Sequence, residues 1–246
     1  MSAAVHSTRG KPRSRRIKKQ VGSILKIEDR KAALGSLAGI EPTSLTGPLF
    51  SYFYSLDDTT RFRSVVAMAD LTARIADQSL ERARIILRRM MWNLNDESGG
   101  IGWGSCEAMG EILRDSDILA RDFGSILLSY IDPCGNFLEH EMLQRGVLWG
   151  VGTILETQDI GVESAMTNLA PFLGSSDPIK RGYAVRAMSF CRNRSDRLKP
   201  YRFPDQIQHD QTMIPLFDGW FMVKVSIAAL ALPDHDRTES GMFIES

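Results

Sequence analysis

A short helical phrase that occurs four times is the feature that most constrains the fold of this chain. The phrase centres on a small residue, which is Ala67 in the first copy, Ala108 in the second, Gly150 in the third and Ala187 in the fourth. Consecutive centres lie 41, 42 and 37 residues apart. A period near forty residues that is carried by helical sequence alone is typical of an α-solenoid, in which pairs of helices stack in one row. The repeat therefore predicts an all-α fold.

Each repeat needs two helices, because a single amphipathic helix cannot bury its apolar face alone. The predicted pairs are 46–56 with 58–76, 79–94 with 105–114, 117–131 with 137–156, and 160–173 with 178–192. Asp177 before Pro178 marks one helix start, and Asn136 with Glu139 three residues later predicts a capping box at another. A helix or two near 17–38 would cap the N-terminal end. We therefore expect a HEAT-like α-solenoid of about four helix pairs over residues 21–194.

A second regularity lies near the start of the second helix in three of these pairs, where an acid precedes an arginine by four residues. The three pairs are Asp57 with Arg61, Glu141 with Arg145, and Asp177 with Arg181. An acid at this position interacts favourably with the positive end of the helix dipole. The arginine can then reach the acid of a neighbouring repeat, as in the Asp/Arg ladder of HEAT repeats. We interpret these residues as structural.

The pattern changes after residue 194, and residues 195–246 are predicted to form a connector, a β-hairpin, a short helix and a tail. Asp218-Gly219 separates the apolar runs 213–217 and 220–225, and an Asp-Gly pair in that setting is a strong hairpin signal. Ser226 is placed to cap a final short helix. This appended unit is expected to cover the open end of the last repeat.

The N-terminal segment 1–20 is strongly basic, with seven Lys or Arg residues and no acid, although the whole chain has 30 basic and 30 acidic residues. It is predicted to be a disordered tail that binds nucleic acid or another anionic surface, and the alternative is a solubilising or translation-related leader without a partner. The three cysteines are an odd number without a CxxC pair, which favours a reducing compartment and a cytoplasmic protein. The longest apolar run, 146–155, is too short to span a membrane.

A Gly-rich segment, residues 95–104, interrupts the second predicted pair and marks the candidate binding surface. Long loops on a rigid scaffold often carry function, and turns between paired helices share one edge of a solenoid. That edge would form an acidic, aromatic-lined patch. The candidate residues are Trp92, Asp96, Glu97, Trp103, Glu107, Glu139, His140, Glu141, Arg145 and Trp149. The alternative is an ordered loop that only fills a gap between repeats, with the acids as helix caps.

The same segment carries a resemblance to a known family. Residues 91–112, which contain Asn-Asp-Glu-Ser-Gly-Gly-Ile-Gly-Trp-Gly at 95–104, resemble a HEAT-repeat family of bacteria that is best known from sulfate reducers and their relatives. Residues 135–150 and 48–50 are similar to it as well. The chain departs from the family at Cys106, where proline is expected, and in its longer basic tail. The resemblance covers about residues 45–230 and implies a fold, without implying an activity.

Three classes of function follow from these observations. A non-catalytic scaffold that binds a partner protein is the first expectation for a solenoid. The second is nucleic-acid binding through the tail, extending to base excision as in HEAT-like DNA glycosylases. Its expected phosphate contacts on the 79–94 helix are Arg82, Arg84, Arg88 and Arg89.

The third class is a metalloenzyme. His140-Glu141 resembles the His-Glu pairs of HEAT-type deoxyhypusine hydroxylases, which bind two irons. Those enzymes need several such pairs, whereas this chain has one pair and four histidines in all. We therefore expect neither a metal nor a cofactor, and the sequence shows no nucleophile motif or phosphate loop that would indicate an enzyme.

Overall fold

Helices make up most of the chain, and a small antiparallel sheet lies near its C-terminal end. The computed structural model describes residues 10–95, 102–191 and 201–232. The helices are α1 (Gly10–Ile24), α2 (Arg30–Ala38), α3 (Pro42–Tyr52), α4 (Asp58–Gln78), α5 (Leu80–Leu94), α6 (Ser105–Arg114), α7 (Asp117–Ser129), α8 (Glu141–Leu155), α9 (Val162–Leu169), α10 (Pro178–Cys191), α11 (Asp205–Gln208) and α12 (Ile227–Ala231). The strands are β1 (Met213–Asp218) and β2 (Phe221–Ser226), and a 3-10 turn (Ala170–Gly174) extends α9.

The helices lie close to the predicted ranges, although α3 lies four residues before the predicted 46–56 and α8 begins four residues after the predicted start at 137. The second helix of each pair packs on that of the next pair. Helix α6 contacts α4 and α8, and α8 contacts α10. We call α4, α6, α8 and α10 the inner row. The phrase centres Ala67, Ala108, Gly150 and Ala187 are all buried in this row. Small residues at the centres therefore permit close helix contacts.

The closest of these contacts joins α6 to α8. A Cβ atom added to Gly150 would lie 2.2 Å from the carbonyl oxygen of Cys106, and one added to Gly110 would lie 2.5 Å from the Cα of Gly150. Glycine is needed at both positions because backbone meets backbone there.

The predicted capping box at Asn136 is wrong. Helix α8 begins at Glu141, and its N-cap residue, His140, makes no side-chain capping hydrogen bond. The amide group of Asn136 instead donates to the hydroxyl of Ser129 at 3.0 Å, at the end of α7. A backbone bond from Leu138 to the carbonyl of Tyr130 (3.1 Å) keeps this stretch against α7. Contacts with the preceding helix therefore outweigh the local capping preference of Asn136.

The prediction that residues 1–20 form a disordered tail is wrong from residue 10 onward, where the chain forms α1. Pro12 lies in the first turn of this helix, where a missing backbone N–H costs nothing. The helix packs on α3, and the hydroxyl of Tyr52 donates to the carbonyl of Lys18 at 2.9 Å. Val21 and Leu25 are buried and supply the apolar contact. In the sequence, the many basic residues nearby make these apolar positions hard to recognise. Residues 1–9 lie outside the described part of the chain.

The C-terminal hairpin is confirmed, with Gly219 at a positive φ of 62° in its turn. Its position differs from the expected one, because it extends from α10 to α4 across the inner row instead of covering only the last repeat. The ring of Phe217 stacks on that of Phe62 in α4, with centroids 5.0 Å apart. The indole N–H of Trp220 donates to the carbonyl of Ile27 at 2.8 Å. The hairpin therefore lies across the inner row, and we call it the roof of that row.

The predicted ladder of acid and arginine is present in part. Arg145 bonds Asp177 of the next pair at 2.7 Å, and Arg181 bonds Asp210 in the connector at 2.9 Å. Arg61 instead bonds Asp58 in its own helix at 2.9 Å. Two steps of the ladder therefore link successive elements, and the first is local.

Candidate functional site

The hairpin and the inner row enclose two cavities that share an aromatic cluster. The ring of Trp149 packs edge-on against Phe62 and Tyr183, at centroid distances of 5.0 and 5.3 Å. Phe62 and Tyr183 line a cavity of about 140 Å³, which we call the Glu107 cavity. Trp149 and Phe217 line a second cavity of about 450 Å³, which we call the Arg186 cavity.

The Glu107 cavity contains three of the residues predicted from sequence, Trp103, Glu107 and Arg145. Its polar lining also includes Asp58, Arg61 and Tyr183, and its apolar lining includes Phe62, Met142, Leu143, Ile179, Pro215 and Met222. Pro215 and Met222 come from the two strands of the hairpin, so the hairpin forms one wall of the Glu107 cavity.

Glu107 is placed by the start of α6. It is the third residue after Gly104, whose positive φ of 73° ends the glycine-rich segment. Burial raises the pKa of Glu107, while the charge of Arg61 and the backbone amides of Glu107 and Gly104 oppose that rise. Glutamate at the third position of a helix is the usual partner of the N-cap amide in a capping box. The start of α6 thus places the carboxylate near the backbone amides of Gly104 and Glu107.

The room for this carboxylate comes from α8. A Cβ atom on Gly146 would lie 2.5 Å from Oε2 of Glu107, so any side chain there would displace the carboxylate. Glu107 is 8% exposed, and no salt bridge to it is found among the described residues. It is therefore a buried carboxylate whose hydrogen-bonding capacity is only partly used by amides.

The two arginines of the cavity are already paired. Arg61 bonds Asp58, and Arg145 bonds Asp177, whose pKa is lowered on balance by the hydrogen bonds and charge of Arg145, against an opposing effect of burial. Trp103 is half-buried, and its indole N–H is buried without a hydrogen-bond partner in the described ranges. The cavity thus offers one carboxylate without a salt-bridge partner among the described residues, and Trp103 belongs to its lining.

Cys106 is adjacent to Glu107 in the chain, yet it has no character of a nucleophile. Burial raises the pKa of its thiol well above the usual value, and the negative charge of Glu107 adds to the rise. A thiol of that kind stays protonated and unreactive at neutral pH.

The remaining predicted residues do not join the cavity. Trp149 is 2% exposed and belongs to the core, with Arg186 lying 4.3 Å from its ring centroid. Glu139, His140 and Glu141 are exposed, and Glu141 bonds Lys180 at 3.2 Å. Trp92 is 74% exposed on α5. Asp96 and Glu97 lie outside the described residues, and in the part that is described no three His, Cys, Asp or Glu side chains are placed to hold a metal ion.

The four arginines predicted to contact phosphate are mostly occupied by neighbours. Arg84 bonds Asp122 at 2.7 Å, and Arg88 bonds Glu81. The guanidinium of Arg89 lies 4.2 Å from the ring centroid of Phe50. Arg82 is exposed. The stripe on α5 therefore presents far less available positive charge than the sequence indicates.

The Arg186 cavity has balanced charges. Arg114 bonds Glu111 at 3.0 Å, and Arg186 lies 3.7 Å from Glu156. Arg30 and Asp218 add one charge of each sign to its lining. The acidic and basic side chains that line this cavity therefore offset one another.

Sequence reasoning missed Asp58, Tyr183 and the two hairpin residues Pro215 and Met222. A signal existed for Tyr183, because it lies 38 residues after Arg145, close to one repeat period. No local pattern indicates which face of the inner row the hairpin covers.

Comparisons with known proteins leave the family open. No family model and no curated protein matches the chain. Among solved structures, a crystal structure of an engineered protein from the Northeast Structural Genomics Consortium is 13% identical over 71% of this chain and 79% of its own, with a TM-score of 0.42. A likeness that weak carries no argument. Within the described ranges, no helix is both long and apolar enough to cross a bilayer.

Proposed function

We propose that this protein is a non-catalytic HEAT-like scaffold that binds a segment of a partner protein beneath the hairpin. The observation that carries the proposal is the Glu107 cavity, a pocket between the inner row and the hairpin that opens to solvent beside Met142. A cavity lined by apolar groups with a few convergent polar groups is the usual form of a binding site.

The unpaired carboxylate of the cavity supports occupancy. Glu107 is buried, and no salt bridge to it is found among the described residues. A buried polar group with incomplete hydrogen bonding costs about 1–3 kcal/mol, and a bound segment that supplies a donor to Glu107 would recover part of that cost. Met142 is 38% exposed and reaches the cavity from α8, which gives a bound segment a route to solvent.

This proposal predicts a position-specific crosslink. A small diazirine amino acid in place of Met142 should capture one protein when the chain is irradiated in native cells, because position 142 lines the cavity. The same group in place of Leu56, which is 93% exposed and lines neither cavity, should not. Filling the cavity with Met222→Trp should abolish the crosslink at 142. Equal capture at both positions, or capture that survives the filled cavity, would contradict the proposal.

A second candidate, nucleic-acid binding, is favoured by one specific observation on α1. Five exposed cations lie within two turns of this helix, and no carboxylate pairs with them in the described part of the chain. They are Arg13, Arg15, Arg16, Lys18 and Lys19. Unpaired cations spaced along one helix suit contacts with successive phosphates.

The second candidate predicts a salt-dependent interaction that depends on α1. Charge reversal of Arg15, Arg16 and Lys19 should lower the slope of log affinity against log salt by about 2–3, because each phosphate contact contributes about 0.7–0.9. Mobility-shift titrations with duplex and single-stranded DNA at several salt concentrations measure that slope. Reversal of Arg82, Arg88 and Arg89 on α5 is the matched control and should change it little. A larger effect of the α5 variant would reject α1 as the contact.

A further inference from the structure

We propose that the Glu107 cavity recognises a primary ammonium group, supplied by a lysine side chain of the bound segment. The inference rests on the proposed function for the source of the ammonium, while recognition of the group itself follows from the cavity and is testable with free amines. Three features of the Glu107 cavity support this inference: its charged groups, its aromatic lining and its volume.

The charges leave one carboxylate unpaired. Asp58 and Arg61 bond each other at 2.9 Å, and Arg145 and Asp177 do so at 2.7 Å. Glu107 remains as the carboxylate of the lining to which no salt bridge is found among the described residues; the charge of Arg61 acts on it, but that guanidinium bonds Asp58. A buried carboxylate without a partner is costly, and a charge-assisted bond to a cation relieves that cost. The cavity therefore selects a cation over an anion or a neutral ligand.

The walls suit a cation at the end of an apolar stem. Trp103 and Tyr183 contribute aromatic rings to the lining, and the face of such a ring attracts an ammonium group. Met142 and Met222 lie on the lining from α8 and from the roof and offer apolar contact to methylene groups. A lysine side chain combines these parts, because its long apolar stem packs on hydrophobic surface and ends in a charged group.

Size and donor count favour ammonium over guanidinium. The cavity volume of about 140 Å³ accommodates a single alkyl chain. An ammonium has three donors, whereas a guanidinium has five in a planar fork and needs more acceptors. Glu107 is the one carboxylate at the cavity without a cation partner among the described residues. A compact ion with few donors is satisfied there more completely than a guanidinium.

The space for Glu107 is part of the fold. The carboxylate lies near the backbone amides at the start of α6, and Gly146 on α8 leaves the room that it occupies. A site held in place in this way loses little freedom on binding. For the same reason Glu107→Gln is a mild probe, because glutamine can replace glutamate in a capping box.

The test titrates the full chain with n-butylammonium and with Nα-acetyl-lysine methylamide. Calorimetry measures affinity, and the indole N–H resonance of Trp103, assigned with Trp103→Phe, reports the location. We expect both amines to bind and to shift this resonance. Glu107→Gln should weaken them about tenfold or more, since a hydrogen bond to a charged group contributes about 1.5–3 kcal/mol. Asp115→Asn, at an exposed acid outside the cavity, should leave the affinity unchanged.

Two further ligands discriminate between the alternatives. The uncharged isostere Nα-acetyl-norleucine methylamide should not bind, and Nα-acetyl-arginine methylamide should bind more weakly than the lysine compound. Equal binding of the isostere, or no shift at Trp103 with either amine, would overturn the assignment. Stronger binding of a cationic methylated nucleoside than of any amine would overturn it too and would assign the cavity to nucleic acid.

The crosslinking result separates this inference from the proposed function. Capture of a partner at position 142 without amine binding would leave the scaffold in place and reject ammonium recognition. Amine binding without a captured protein would keep the ammonium site and reject the scaffold.

Discussion

Replacing Gly150 with alanine is expected to lower the free energy of unfolding by about 3 kcal/mol, at the upper end of the cost of overpacking. The added Cβ would lie 2.2 Å from the carbonyl oxygen of Cys106 and 3.0 Å from its carbonyl carbon. Both are backbone atoms of α6, so no side-chain rotation can relieve the contact. Helices α6 and α8 must separate, and the change reaches Glu107 and Gly146, which face each other across the same interface.

Urea denaturation followed by circular dichroism measures this loss, and Gly35→Ala is the matched control. Gly35 lies inside α2, is exposed, and a Cβ there would meet no atom within 4 Å. That variant should gain about 0.5–1 kcal/mol, because alanine restricts the unfolded chain more than glycine does. If Gly150→Ala is as stable as the wild type, the close approach of α6 and α8 is wrong.

The repeat made much of the fold predictable, because it records where helices touch. Ala67, Ala108, Gly150 and Ala187 recur since a large side chain at any of them would push neighbouring helices apart. Asp-Gly at 218–219 made the hairpin predictable, since its turn needs a positive φ. The capping prediction at Asn136 was wrong because its side chain bonds Ser129 instead, and only the folded turn after α7 brings the two residues together.

Only the part of the site that the helices form was predictable from the sequence. Trp103, Glu107 and Arg145 follow from the motif and its spacing, and they do meet at one cavity. Trp149 shares their edge in sequence but faces the core, because its ring packs against Phe62. The roof could not be placed from sequence, since its position depends on a contact between residues 157 positions apart, Arg63 and Trp220.

That contact leads to the second large effect. Arg63 in α4 is 5% exposed and donates to three backbone carbonyls: Trp220 at 2.9 Å, Leu25 at 3.0 Å and Ile27 at 3.2 Å. Its guanidinium also lies 5.1 Å from the ring centroid of Trp220. One side chain thus joins the N-terminal helices, the inner row and the hairpin.

Arg63→Ala is therefore expected to cost about 3 kcal/mol, since each buried carbonyl left without a donor costs about 1–3 kcal/mol and local relaxation recovers part of the total. Arg74→Ala, in the same helix, removes a pair with Asp70 at 3.0 Å that is partly exposed and should cost about 0.5 kcal/mol. Arg63→Lys should fall between them, because an ammonium cannot reach three carbonyls in the fork geometry of a guanidinium. Urea denaturation measures all three.

Hydrogen exchange distinguishes release of the roof from general weakening. In Arg63→Ala the paired amides of β1 and β2 should exchange faster than those of α6 and α8, because the hairpin loses its attachment to α4 while the inner row keeps its own contacts. Met222 would then leave the Glu107 cavity, so amine affinity should fall even though Glu107 is intact. Unchanged hairpin protection together with wild-type stability would show that the aromatic stacking of Phe217 on Phe62 suffices to hold the roof. Loss of protection in the hairpin alone, together with weaker amine binding, would show that Arg63 controls the site from outside it.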